Sequence, residues 1–311
     1  MERKMLLGSD PEFVFVGPNG LVGANEFYPR QRNGAADNPE IGGDGHPYTV
    51  EIRTKPKESP KEVAEEIQRI LKTHFHEVPA EVCWRAGSYF KGKTLGGHIH
   101  FGGIALEDTL VEALDGVLAQ VLTLLEDPQE AMQRRATQYG ALGDIRVKGW
   151  GFEYRTLASF IVSPEIATGV YTLAKAVVVE ELAADSMSLR KLRGKRLKIL
   201  TDINRNQYIK ADRGYFYDKL PEIWEIISRY GYFFTDEGRP LWKNVALLRH
   251  IAMNYPSWHT DRDLLHRWKV RKKTPAAYAK HFKDKKEKLP KEGVLHGDEA
   301  LEILARNRRQ G

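Results

Sequence analysis

The chain has 311 residues, 41% of them apolar and 29% charged, with a net charge of +6 and a single cysteine. That composition belongs to a globular protein with one large core or two smaller ones, and one cysteine excludes an intrachain disulfide. No stretch approaches the ~18 uninterrupted apolar residues that a membrane-spanning helix needs, so no membrane partner is expected.

Asp10 and Glu12 interrupt the start of the chain too early for a secretory leader, and the expected location is the cytoplasm. Cys83, within Glu81-Val82-Cys83-Trp84-Arg85, reads as a buried core residue in a reducing compartment. Charge is unevenly placed. Residues 261–311 carry 15 Lys/Arg against 8 Asp/Glu, an excess of +7 that leaves −1 for the remainder. The chain therefore divides into a body, 1–260, and a basic, mostly helical extension, 261–311. The extension is either a solvated face or a contact for a polyanion such as nucleic acid.

Residues 6–16 predict a strand, with Phe13 and Phe15 on one face and Asp10 and Glu12 on the other. Pro18-Asn19-Gly20 marks a turn to a short partner at 21–24. The Gly-, Asn-, Asp- and Pro-rich stretch 28–47 predicts a long loop, in which Gly42-Gly43-Asp44-Gly45 is a weak candidate for bordering a site. A strand follows with Tyr48, Val50 and Ile52 on one face and Glu51 and Arg53 on the other. Ser59-Pro60-Lys61-Glu62 is a helix start, with a Ser cap, Pro in the first turn and Glu at the capping-box position, and the helix is expected to reach about His76. Strands are predicted at 82–89, 95–103 and 150–160. Helices are predicted at 106–126 and from Ser163-Pro164-Glu165 to about Ala184, and the chain beyond 195 is mostly helical. Strands and helices in this order predict an α+β fold with an antiparallel sheet.

Four of these segments share one feature. Residues two apart on a strand project from the same face. Asp10 with Glu12, Glu51 with Arg53, His98 with His100, and Glu153 with Arg155 therefore form polar pairs inside apolar runs. Carboxylates in such numbers suit a hard cation, Mg²⁺ or Mn²⁺, which commonly also takes substrate phosphates. The glycines beside the histidines, Gly96, Gly97, Gly102 and Gly103, allow close approach to the backbone. His-X-His itself admits two readings: paired ligands of Zn²⁺ or Fe²⁺, or one histidine on a cation and one beside phosphate. Arg134, Arg135, Arg146 and Lys148 supply cations just before Glu153, and guanidinium forks suit phosphate oxygens.

Taken in order, Asp10-Pro11-Glu12-Phe13, Glu51-Ile52-Arg53, Gly97-His98-Ile99-His100 and Glu153-Tyr154-Arg155 resemble the motifs of the carboxylate–amine ligase superfamily, which includes glutamine synthetase and glutamate–cysteine ligase. The chain is most similar to the phage-encoded branch described as COOH·NH2 ligase type 2. The resemblance covers about the first half of the chain. It implies a curved antiparallel sheet with helices packed on one face, like the glutamine synthetase catalytic domain, and a site in the concave funnel. It implies ATP and Mg²⁺ (or Mn²⁺) as cofactors, and a carboxylate joined to an amine through an acyl phosphate. For a phage-encoded chain it also implies the host cytoplasm.

On this resemblance Glu12, Glu51 and Glu153 hold metal, with Asp10 and His98 at a second position. His100, Arg134 and Lys148 face the nucleotide phosphates, and Arg155, Arg146 and Arg53 act on the transferred phosphoryl group. The three glutamates should then converge within ~12 Å, as ligands of one or two cations must. The chain departs from glutamine synthetase in lacking its N-terminal domain and in placing Asp10 where Glu is more usual, and its last ~120 residues match nothing in that superfamily. A small amino acid, a peptide, a cell-wall fragment and a modified nucleobase all remain open as substrates. Two other classes compete: a metal-dependent hydrolase built on the His-X-His pair, and a non-enzymatic protein that binds nucleic acid or another partner through its basic extension.

Overall fold

The structure, a computed structural model, describes residues 4–29, 38–183, 203–254, 258 and 262–271. The strand expected at 6–16 is two strands, β1 (Leu6–Ser9) and β2 (Glu12–Gly17), separated at Asp10-Pro11. Pro11 has no N–H to give to a ladder, so the regular pairing stops there and the chain changes direction. Only the carbonyl of Pro11 is used, accepting from the Ile52 N–H at 3.1 Å.

The break feeds one stretch of chain into two antiparallel sheets. β1 pairs with β9 (Ile99–Gly102), which pairs with β11 (Gly151–Tyr154), which pairs with β10 (Ile145–Lys148). β2 pairs with β3 (Gly20–Val22), β5 (Thr49–Ile52) and β6 (Cys83–Arg85), and β5 carries β4 (Ile41–Gly43) at its far edge. Backbone bonds bridge the seam: Leu7 and Lys57 exchange bonds at 2.7 Å, Thr54 donates to Ser9 at 3.0 Å, and Glu12 donates to Gly96 at 2.8 Å. The result is a curled, nearly continuous sheet. A separate hairpin, β7 (Tyr89–Phe90) and β8 (Lys93–Thr94), lies beside it.

One face of the sheet is apolar. Leu7, Phe13, Phe15, Val50, Ile52, Ile99, Phe101, Phe152 and Tyr154 are buried in a single core with the helices. Phe101 stacks on Phe152 with centroids 5.0 Å apart, and Phe13 stacks on Trp84 at 5.2 Å. Against this face pack α1 (Pro60–His74), α2 (Asp108–Leu114) and α5 (Pro164–Leu182). The α1 start is the expected one: Ser59 caps Lys61, and Glu62 returns to the Ser59 N–H. Ser163 likewise caps α5. The fold is α+β, a curved antiparallel sheet with helices on one face.

Several boundaries differ from those the sequence predicts. The loop at 28–47 contains β4, because Gly42 and Gly43 pair with Glu51 and Val50. The strand at 82–89 stops at Arg85, since Gly87 adopts φ +133 and bridges to Ser159 instead. The expected 106–126 helix is α2, a π-helical turn at Asp115–Ala119, and α3 (Gln120–Leu125). The π turn brings the buried Asp115 carboxylate to the Tyr154 hydroxyl at 2.7 Å and the Thr156 hydroxyl at 3.2 Å. α4 (Pro128–Ala136) follows. Beyond 202 the described residues form α6 (Arg205–Ile209), α7 (Arg213–Ser228), α8 (Trp242–Asn254) and α9 (Leu264–Arg267). Cys83 is buried, as expected.

Residues 262–271 make contacts back across the expected boundary at 260/261, within a compact unit that runs to Lys273. Trp268 is fully buried, its indole donates to the Ile161 carbonyl at 2.7 Å, and Gln68 donates to its backbone at 2.9 Å. Arg271 reaches the Val82 carbonyl at 2.6 Å. The rest of the basic extension lies outside the described residues. Among those described, no helix is long and apolar enough to cross a membrane.

Two outcomes test this packing. Trp268→Ala should cost about 3–5 kcal/mol in urea denaturation, the range for losing a large buried aromatic, whereas a solvated tail would give no change. Burial pushes Asp115 up to about 6 against the bonds from Tyr154 and Thr156. A carboxyl raised in the folded state binds protons more tightly there than in the unfolded chain, so its contribution to stability is present below about pH 4 and is lost as pH rises through about 6. The stability of the native chain relative to Asp115→Asn should therefore fall between pH 4 and 7, by at most ~3 kcal/mol.

Candidate active site

The apolar run that fills the core fixes what faces the other way. Gly8, His100, Glu153 and Arg146 stand opposite one another across β1, β9, β11 and β10. Glu12 stands opposite Glu51 across β2 and β5. All four i, i+2 pairs thus meet on the concave face. Strand register, and not proximity in sequence, assembles them.

Asp10, at the seam, is the hub. Its Oδ1 lies 3.2 Å from His98 Nδ1 and 3.1 Å from His100 Nε2. Burial opposes charge on Asp10, but the bonds to His100 and His98 prevail and hold it well below the ordinary carboxylate range. His98 is itself buried, which disfavours its cation, yet Asp10, Glu12 and Glu153 together raise it. Behind this pair, Ser9 donates to the His98 carbonyl at 2.6 Å.

Glu153 is 1% exposed and surrounded by positive groups. Arg155 Nε is 3.2 Å from Oε1, His98 Nδ1 is 3.5 Å from the same oxygen, and Arg146 and Lys148 approach Oε2 at 3.3 and 3.7 Å. Asp10, His100 and Glu153 each place a donor atom within 4.8 Å of the others, a spacing that a single cation can span. His100 Nε2 is buried against Asp10 Oδ1, and Glu153 Oε1 is buried between Arg155 Nε and His98 Nδ1. Such a donor set of two carboxylates and an imidazole fits Mg²⁺ or Mn²⁺.

The opposite wall is acidic. Glu12 accepts from the Tyr139 hydroxyl at 2.7 Å and from the Gly96 N–H at 2.6 Å, both neutral donors. Burial raises its pKa, and the nearby Asp44 adds to this. Glu51 is pushed up to about 9 by burial and then by Asp44, despite Arg53 Nε at 2.6 Å from its Oε1. Buried acids that repel one another in this way call for a cation to share.

Glu12 and Glu153 are linked through Tyr139 and His98, and Glu51 joins them by standing opposite Glu12 in the ladder. Arg146, Lys148 and Arg155 line the Glu153 side, and Arg53 holds Glu51 while donating to the Asn38 and Gly43 carbonyls at 3.3 Å. Arg53 also lines a cavity of about 810 Å³ with Lys55, His74 and Glu77. His100 groups with Asp10 and Glu153, and His98 lies between Asp10 and Tyr139 with Glu153 at 3.5 Å. Arg134 does not reach the funnel. It is 0% exposed and donates to the Thr156 and Leu157 carbonyls at 3.0 and 2.8 Å, which leaves it no side open to phosphate.

Three site residues had no signal at the level of motifs. Tyr139 and Asp44 come from loops whose path no periodicity gives, although Gly42-Gly43-Asp44-Gly45 hinted at the second. Trp150, half exposed, leans over His100 with ring centroids 5.4 Å apart, and it precedes β11 as a single aromatic residue.

A curled sheet with a polar concave face and a charged, cation-sized donor set is the class of structure these observations define. Residues 7–270 match the family described as Phage phiEco32-like COOH.NH2 ligase-type 2. The chain belongs to this family. Among solved structures it is similar to the crystal structure of a bifunctional glutathione synthetase from Pasteurella multocida, at 13% identity and a TM-score of 0.42, over 86% of this chain and 52% of that one. It thus spans about half the length of that protein. None of the curated proteins matches it.

Gly96 tests the site without altering a donor. A Cβ there would collide with the His98 ring and sit 2.9 Å from the Tyr139 hydroxyl. Gly96→Ala should therefore abolish Mn²⁺ binding, followed by electron paramagnetic resonance, while near-native circular dichroism persists. Unaltered Mn²⁺ affinity would separate this cluster from any metal site.

Proposed function

We propose that this protein is an ATP-dependent carbon–nitrogen ligase that joins a carboxylate to an amine through an acyl phosphate. The observation that carries the reading is the convergence of Asp10, Glu12, Glu51, His100 and Glu153 with Arg53, Arg146, Lys148 and Arg155 on one concave face. Family membership supports it.

In this reading Asp10, His100 and Glu153 would hold one divalent cation, Mg²⁺ or Mn²⁺, and Glu12 and Glu51, with His98 Nε2 on the side of Glu12, would hold another. When bound, the cations neutralise phosphate oxygens of ATP and of the departing ADP. His98 orients Asp10 from beneath. An oxygen of the substrate carboxylate attacks the γ-phosphorus, the bond to ADP breaks, and an acyl phosphate forms. The amine attacks the acyl carbon, inorganic phosphate leaves, and the amine nitrogen gives up a proton as the amide forms. Arg155, Arg146 and Lys148 donate to the phosphoryl oxygens as charge shifts between them, fixed dipoles and charges being the main lever in such transfers. Trp150 offers a flat surface for the nucleotide base beside His100. The cavity next to Arg53 and Lys55 takes the organic substrate, with cations for a carboxylate and Glu77 for an amine.

A hydrolase built on the histidine pair is less well supported, because both ring nitrogens of His98 are engaged, Nδ1 by Asp10 and Nε2 by Tyr139. The soluble substrates of a ligase are the partners this reading requires; nucleic acid is not among them. Release of ADP that needs both an acid and an amine, across a panel of amino acids and peptides, is the decisive assay. Arg155→Ala should lower that turnover by ~3–4 kcal/mol in the barrier, with little change in urea denaturation. Near-normal turnover would reduce Arg155 to an ion-pair partner of Glu153 and Asp144.

A further inference from the structure

Tyr139 places a neutral hydroxyl at the centre of the charged cluster. Its hydroxyl donates to Glu12 Oε1 at 2.7 Å and lies 3.1 Å from His98 Nε2, while His98 Nδ1 faces Asp10. The other Glu12 oxygen is taken by the Gly96 N–H, a main-chain bond belonging to the fold. The hydroxyl thus stands where an oxygen of a buried carboxylate and a nitrogen of a buried imidazole converge. A divalent cation seeks the same kind of point.

The ring reaches that point from a separately built support. Gln138 and Gly140, on either side of Tyr139, take left-handed φ of 65° and 73°. Arg134 lies beneath, 5.0 Å from the ring centroid, and a Cβ at Gly140 would run into its guanidinium. Arg134 is in turn fixed by the carbonyls of Thr156 and Leu157. With the loop pinned in this way, the movement that frees Glu12 and His98 is rotation of the Tyr139 side chain, not opening of the loop.

We infer that Tyr139 is an internal competitor for one cation position: its hydroxyl holds Glu12 and His98 together in the unloaded site and surrenders both when a divalent cation binds. The inference rests on the metal-site reading above and adds a positioning residue that sets how readily the site loads. Removing the hydroxyl takes away the competing bond and leaves the Glu12 oxygen in need of a partner. A hydrogen bond to a charged group is commonly worth a factor of about ten or more in an equilibrium.

The test is Mn²⁺ titration of the full chain, native and Tyr139→Phe, read by electron paramagnetic resonance. Tyr139→Phe should bind Mn²⁺ about tenfold more tightly. Equal or weaker binding overturns the inference, because the hydroxyl would then be a permanent partner that orients Glu12 in the loaded site as well. A second readout uses the native sequence, so that a folding defect in the variant cannot hide the answer. The protein is labelled with 3-fluorotyrosine, and the Tyr139 signal is identified by its loss in Tyr139→Phe. That signal should shift on addition of Mg²⁺, and a resonance unmoved at saturating Mg²⁺ overturns the inference. If neither protein binds Mn²⁺, the metal-site reading itself falls and takes this inference with it, an outcome distinct from equal binding by both.

Discussion

The pairing of β9 with β1 on one side and β11 on the other decides where the chemistry of this protein sits. His100 is opposite Gly8 and Glu153, and Ile99 is opposite Ser9 and Tyr154. Because side chains alternate with period two, a slip of one residue would turn His98 and His100 into the core and expose Ile99 and Phe101. The apolar residues of β9 therefore guard the register of the polar ones. The break at Asp10-Pro11 adds what a flat sheet lacks. It ends one ladder and starts another, so that Asp10 stands at the corner where both histidines reach it.

The same geometry divides the funnel into two electrical halves. Around Glu153 the cations Arg146, Lys148 and Arg155 gather within ion-pair distance. Across the seam Glu12 accepts hydrogen bonds from neutral donors, with His98 as its nearby positive group, and Glu51 has one arginine against three nearby acids. Buried charge without a full set of partners is costly, and burial with the neighbouring acids pushes both Glu12 and Glu51 toward their protonated forms. The basic half, largely on the rim, is suited to anions arriving from solvent. On the proposed reading, a nucleotide phosphate and its metal would occupy such a pair of surfaces side by side. The seam between the sheets brings them together, with Asp10 and Tyr139 standing at the boundary.

Much of this was legible in the sequence, and the parts that were share a cause. The i, i+2 polar pairs, the Ser59-Pro60-Lys61-Glu62 cap and the α2–α3 amphipathic run are local patterns, set by the periods of strand and helix. What was not legible depends on register or on loops. β10 carries no strand signal in the sequence, because Ile145-Arg146-Val147-Lys148 is too short a run, and only its register against β11 sets Arg146 opposite Glu153. Arg134 and Arg135 have the same composition as rim arginines, and only tertiary structure shows that both are buried, Arg135 on Glu126 at 2.8 Å and Arg134 on backbone carbonyls. The roles of His98 and His100 are indistinguishable by motif. They separate only once Tyr139, 39 positions beyond His100 in the chain, fills the far side of His98.

The segment at 262–271 shows how far the support of the site extends. Arg262 and Arg85 both pair with Glu130 on α4, and Arg85 stands beside Val14 in the ladder between β2 and β6. The backbone of Asp263 pairs with that of Arg85 in an isolated antiparallel bridge, and Arg271 approaches the Asp263 carboxylate at 3.7 Å. Breaking one partner of a largely buried ion pair leaves the other uncompensated, a more serious loss than the pair was worth. These contacts therefore fix α4 against β2. One turn further along, α4 carries Arg134, which anchors the loop that aims Tyr139 at Glu12. Charge that reads as part of a basic tail is thus tied by four side chains to the residue at the centre of the funnel, which gives a physical reason for the compact unit, like the family match, to extend to about 270.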